Sequence, residues 1–296
     1  MSVIPNFAGN FLGTGAPVAN FPALSSPFGT FIKPGGRIAA YVRSTGLQDG
    51  DDLFASSGAL VSSINEGLKR CRSGLNDIVF VLPGHTETFS SSGAIWPNLV
   101  AGAQIIGCAV PGSTNCPTVN LSHTGASMAL NVANCTVGGI NVLSSTAAVT
   151  GAVAITAAGV TFSGNYVNFS GALAGNAPIQ VTGAANADLL GNLIVADSTA
   201  AVINITGAGS TNLVIAGNLI RQTQATSGGA GINVASTAGI SGWIHRNLIK
   251  SATNGTIVDL GVVVGASAAA TVGVFENYVM DGGSGGSGLL SPAVGS

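Results

Sequence analysis

The stretch LVIAGNLI at residues 213–220 returns four more times in altered form: VTFSGNYV from residue 160, ADLLGNLI from 187, GWIHRNLI from 242 and VGVFENYV from 272. Each copy carries one asparagine, Asn165, Asn192, Asn218, Asn247 and Asn277, at spacings of 27, 26, 29 and 30, and a weaker earlier member stands at Asn141 in CTVGGINVL. Periods of this size mark solenoids. Apolar positions alternate up to the Asn and resume two residues beyond it. The column three before reads Phe162, Leu189, Ile215, Ile244, Val274, and the column two after reads Val167, Ile194, Ile220, Ile249, Val279. That is strand periodicity broken by a bend. Asn accepts the left-handed conformation that a corner needs, and stacked Asn side chains can hydrogen-bond one coil to the next. The five are therefore expected to form a structural ladder rather than a catalytic set.

A second strand precedes each copy. MALNV, AVAIT, PIQVT, VINIT, GINVA and IVDLG give inward pairs Leu130/Val132, Val153/Ile155, Ile179/Val181, Ile203/Ile205, Ile232/Val234 and Val258/Leu260, with Asn131, Ala154, Gln180, Asn204, Asn233 and Asp259 between them. Short strands joined by Gly-rich corners in coils of this length predict an all-β fold, a right-handed parallel β-helix of six or more coils. Residues 51–72 read as a capping helix with Leu53, Leu60, Ile64, Leu68 and Cys71 on one face, acids at its start, and Lys69, Arg70 and Arg72 at its end. DIVFVLPG, residues 77–84, is expected as the first strand. The chain thus divides into an extended arm (1–36), the β-helix with its cap (37–280) and a flexible Gly/Ser-rich tail (281–296).

With 46% hydrophobic and only 7% charged residues, the surface must be built largely from small polar residues and glycine. A net charge of −2 without a basic block offers no footprint for nucleic acid, and no clean apolar run is long enough for a membrane helix. The first basic residue is Lys33, so a secretory leader is not expected and synthesis in a cytoplasm is. Cys71, Cys108, Cys116 and Cys135 form no CxxC pair, and we read them as buried or half-buried thiols with no metal or other cofactor implied.

The succession AAYVRSTG, amphipathic helix, NDIVFVLPGHTETF, AQIIGCAVPGSTNCPTVNL and MALNVANCTVGGINVL resembles the opening coils of the pectate-lyase-like right-handed β-helix superfamily. More narrowly it is similar to tailed-phage virion proteins with LPGHxET after the helix. The resemblance covers residues 37 to about 280 and implies a virion structural protein, a capsid decoration (cement) protein, with a head fibre or tailspike-like glycan-binding or glycan-processing protein as the alternative. Its implied partner is the major capsid protein.

Sugar-cleaving enzymes on this fold need clustered acids on an outer face. Between Glu87 and Asp188 there is no acid, and Asp188, Asp197, Asp259, Glu276 and Asp281 fall in different columns. No catalytic site is expected within one chain. His85 in LPGHTETF either pairs with Glu87 or helps form a turn, and His245 reads as a packed surface residue. Arg246 and Glu276, each just before a repeat Asn, should form an ion pair between coils, while Arg221 and Lys250 share a basic edge that is either solvated or turned to a capsid surface. Aromatics make up 5% of the chain, few for a glycan platform.

Two contact elements remain. Phe7, Phe11, Phe21, Phe28 and Phe31 crowd the arm, which shows neither periodicity, so these rings anchor either to the solenoid's own flank or to the capsid. Tyr166, Leu193, Leu219, Leu248 and Tyr278, each one after a repeat Asn, either lean outward as an oligomer interface, with a homotrimer as the expected assembly, or tuck into the corner.

Overall fold

Each repeated segment splits at its Asn into two short strands facing different ways, because the residues three before and two after the Asn both seek the interior. The computed structural model describes residues 33, 35–44, 60–144, 152–173, 177–198, 200–223, 230–235, 238–251, 262–265, 271–280 and 291–292. In it the halves before the Asn, such as Thr161–Ser163, Asp188–Leu190 and Leu213–Ala216, stack in a ten-stranded first sheet. The halves after it, such as Tyr166–Leu173, Leu193–Ser198 and Leu219–Gln222, stack in an eight-stranded second sheet. Strands between the copies, such as Val153–Ile155, Ile179–Thr182 and Ile203–Thr206, make an eight-stranded third sheet. Every strand pairs in parallel with the equivalent strand of the next coil, which makes the molecule a right-handed parallel β-helix.

The two inward columns stack in register from Phe162 to Val274 and from Val167 to Val279. They join the third-sheet pairs in one core, where Phe162, Leu189, Ile194, Ile215 and Ile220 are wholly inaccessible. Two of the expected third-sheet pairs are displaced. In the first, Met128 and Leu130 stack on Val153 and Ile155, so Ala129 rather than Asn131 faces outward between them. In the second, Val262 and Val264 stack on Ile232 and Val234, while Val258 and Leu260 lie outside the described residues. In both places alternating apolar residues run on beyond one pair, and periodicity alone does not choose the register.

The asparagines form a continuous ladder. Asn192 donates its backbone N–H and its Nδ2 to Oδ1 of Asn218 (3.0 and 2.9 Å), and Nδ2 also donates back to the Phe162 carbonyl at 3.0 Å. The same pattern links Asn165 to Asn192, Asn218 to Asn247 and Asn247 to Asn277. Asn165, Asn192, Asn218 and Asn247 are buried to 1% exposure or less, so no water substitutes for these bonds.

The left-handed residue of the corner is not the Asn. It is the residue before it: Gly164, Gly191 and Gly217 at φ 59°, 60° and 65°, then Arg246 and Glu276 at 55° and 54°. The conformational role expected of the Asn therefore belongs to its neighbour, and the Asn works through its amide. Asn141 is not a ladder member either. Ile140 holds the ladder position, its N–H donating to Oδ1 of Asn165 (3.2 Å), while Asn141 pairs with Tyr166 one residue on.

The second half of the expected cap helix, residues 60–72, is helical only in part. Among the described residues of the expected cap helix, Ile64–Leu68 alone is helical, with Ser63 as N-cap accepting from the Glu66 N–H, while Glu66 takes the N–H and hydroxyl of Ser62. Ile64 and Leu68 are buried and close the end of the core. Leu60–Val61 is instead a strand beside Ile38–Val42, which itself pairs with Ile78–Val81, so the sheet begins before the expected first strand. Strand pairing there satisfies backbone groups that a sheet edge would leave open. Residues 51–59, Leu53 included, lie outside the described residues. Arg72 serves not the helix end but the carboxylate of Asp77. In the expected tail, Ser291–Pro292 adds a strand to the third sheet beside Val263 and Val264.

Replacing Asn218 by Ala strands the Asn192 N–H and Nδ2 and the Leu189 carbonyl in a dry corner. We expect a loss of about 3 kcal/mol in urea unfolding, with a clearly smaller loss for Asn277→Ala at the partly exposed rim. Arg246→Gly should leave the urea midpoint unchanged or raise it, since relief of a left-handed non-glycine outweighs an exposed ion pair.

Candidate functional site

Because the Asn and the residue two after it are spent on the interior, the residue between them is forced outward. Tyr166, Leu193, Leu219, Leu248 and Tyr278 accordingly stack in register on the outer face of the second sheet. The first three are half-buried, Leu248 is 37% exposed and Tyr278 70%. The column continues toward the N-terminal end as Asn141, Thr118 and Thr86, so the apolar stripe is confined to five coils. Two residues on, Val195, Arg221 and Lys250 form the next outward column, both cations exposed. The result is a greasy ridge with a basic flank.

A second exposed cluster was not anticipated. On the outer face of the first sheet, Trp243 (56% exposed) meets Phe275 edge-on at 5.9 Å, and His245 stacks on the same ring at 4.8 Å. The indole lies flat over Gly273, where an added Cβ would fall 2.2 Å from the ring. The signal in the sequence is the alternation of Trp243 and His245 above Phe275 in the next coil.

The acids stay apart. Asp188 is half-buried on the first sheet, its carboxyl pushed up by burial against the opposing charge of Lys33. Asp197 belongs to the second-sheet strand Leu193–Ser198. Glu276 binds Arg246 across one coil at 2.8 Å, the expected ion pair. Glu87 stacks with Val119 in an inward column, where its Oε1 meets His85 Nε2 at 3.1 Å and accepts the Ile64 N–H at 2.5 Å. His85 is inaccessible, and with Glu87 it ties the first coil to the cap helix. Asp259, Asp281 and the five arm phenylalanines lie outside the described residues. Among the described residues no group of His, Cys, Asp and Glu could hold a metal ion. Cys116 and Cys135 are buried and Cys71 half-buried, but Cys108 is exposed, contrary to its expected burial. No described helix is long and apolar enough to cross a membrane.

Comparison of the chain with protein-family models, with curated proteins and with solved structures returns no match.

Asp77 is the strongest pH-sensitive group of the cap. Burial raises its pKa, but Arg72, through its guanidinium and its N–H, and the Arg37 N–H outweigh that and hold it down at about 2. A carboxylate depressed in the folded state stabilises above its unfolded pKa, near 4, and loses that contribution as pH falls toward 2. Urea midpoints should therefore drop between about pH 4 and 2, and Asp77→Asn should flatten that drop while lowering stability at neutral pH.

Proposed function

We propose that this chain is a non-enzymatic structural protein of a tailed-phage particle, a capsid decoration protein that binds the major capsid protein and stabilises the head lattice. The observation that carries this reading is the in-register outward ridge from Tyr166 to Tyr278, an apolar column suited to association. The dispersed acids and the LPGHTETF opening coil support it. On this reading the ridge packs copies into a homotrimer, assembly takes place in the host cytoplasm, and Phe7, Phe11, Phe21, Phe28 and Phe31 anchor the rod to the capsid surface.

A head fibre or tailspike that binds glycans is the second reading, favoured by one observation, the exposed Trp243 beside Phe275. A sugar ring stacks on such a surface through its C–H face.

The test is cosedimentation of the purified full chain with phage heads lacking it. We expect saturable binding at copy numbers commensurate with the major capsid protein, abolished when all five arm phenylalanines become Ser. Binding untouched by those changes would overturn the arm's role. Absence of binding to heads, with retention on a glycan array lost in Trp243→Ala, would favour the second reading.

A further inference from the structure

The corners of the Asn ladder are not built alike. Before Asn165, Asn192 and Asn218 the left-handed residue is a glycine, Gly164, Gly191 and Gly217, the residue type that takes this conformation without crowding a Cβ. Before Asn247 and Asn277 it is Arg246 (φ 55°) and Glu276 (φ 54°), whose side chains disfavour it. Their ion pair does not account for the change. Both ends are open to water, at 70% and 55% exposure, and a pair that open adds little to stability. Strained corners that carry charge at successive coils point to a use outside the fold.

That use stands beside them. Outward positions in the early coils of the first sheet, such as Gln104, Thr136 and Ser163, are below 10% exposure. The same columns run on through Val214 and Ala216 to Trp243 and His245, and then to Gly273 and Phe275. There the face opens, with Trp243 56% and Phe275 41% exposed. The indole is held flat by Gly273 beneath it and by the edge-on Phe275 ring, which His245 backs in turn. The smaller Val214 and Ala216 in the coil before leave its other side open. Arg246 follows His245 directly and Glu276 follows Phe275 directly, so the charged corner begins where the aromatic shelf ends.

Each part fits one kind of ligand. A fixed, exposed aromatic face takes the C–H side of a sugar ring. Arg246 donates to Glu276 at 2.8 Å, and the remaining edges of the pair offer guanidinium donors next to carboxylate acceptors. Neighbouring hydroxyls on one ring meet such a pair as acceptor and donor together. The two charges cancel within the pair, which favours a ligand without charge of its own.

We infer that Trp243 and Phe275 form a shelf for a pyranose ring of an uncharged glycan, and that Arg246 and Glu276 hold two neighbouring hydroxyls of that glycan. The inference rests on the glycan-binding reading of Trp243 and adds to it the class of the ligand and the residues that select it. It does not require that heads be left unbound, since the site lies on the first sheet and the Tyr166 to Tyr278 ridge on the second.

The test applies the full chain to an array of neutral hexose oligosaccharides printed beside their uronate counterparts and beside versions lacking single hydroxyls. Arg246→Gly and Glu276→Gly, singly and together, give these corners the residue that the other three use, and an unchanged or raised urea midpoint checks that the fold is kept. We expect retention on neutral oligosaccharides that is roughly tenfold weaker or less on the uronates and on versions missing one of two neighbouring hydroxyls. Either glycine change should weaken it by about tenfold or more, and Trp243→Ala should abolish it. Neutral glycans held at full strength by the glycine variants would overturn the inference and leave the glycan reading standing. Preference for uronates would overturn the uncharged class in the same way. Retention of no glycan would overturn both the inference and the reading it rests on.

Discussion

A carboxamide closed off from water must find both of its donors and its acceptor inside the protein, and here each repeat Asn finds them in the coils above and below. The rise between parallel strands, about 4.8 Å, suits an amide-to-amide bond, so the ladder holds only while every coil turns its corner at the same place. Other features follow from that constraint. The residue before the Asn must be left-handed to bring the amide inward, which accounts for Gly164, Gly191 and Gly217. The residue after must point out, which builds the Tyr166 to Tyr278 ridge. Coil length is free to vary between 26 and 30 residues because the extra residues fall away from this corner.

What could be read from the sequence was what repeats. Five asparagines in an alternating apolar frame specify two inward columns, and the structure pairs every member of them as expected. Errors arose where the local pattern fits two registers. In the run of residues 126–132 alternation permits Met128/Leu130 as well as Leu130/Val132, and the pairing with Val153 and Ile155 decides. Asn141 carries the right residue type one position late, where its side chain instead accepts the Gly112 N–H. The apolar spacing from Leu53 to Cys71 is helical on average, yet Leu60 finds a strand partner in Tyr41 that no local pattern reveals.

The site was legible to the same degree. The outward ridge follows from the ladder's geometry and was expected as one of two possibilities. The Trp243, His245 and Phe275 cluster depends on contacts between coils 30 residues apart and on the space Gly273 leaves. The three outer faces then differ in kind. The first is closed at its early coils and aromatic at its late ones, and the second carries the apolar ridge. The third is lined by small polar residues that bond from coil to coil, as Asn233 does to Asn204 at 2.8 Å and Thr182 to Thr206 at 3.0 Å.

Native-state hydrogen exchange at the backbone amides of Asn165, Asn192, Asn218 and Asn247 tests the ladder most directly, since each donates to the side chain of the next coil's Asn rather than to a sheet partner. If the ladder holds the coils together, these four amides exchange as slowly as core strand amides such as those of Ile194 and Ile220, and only by global unfolding. Exchange at the rate of exposed corner amides such as that of Ala208 would show that the coils are held by sheet pairing alone and would contradict the account.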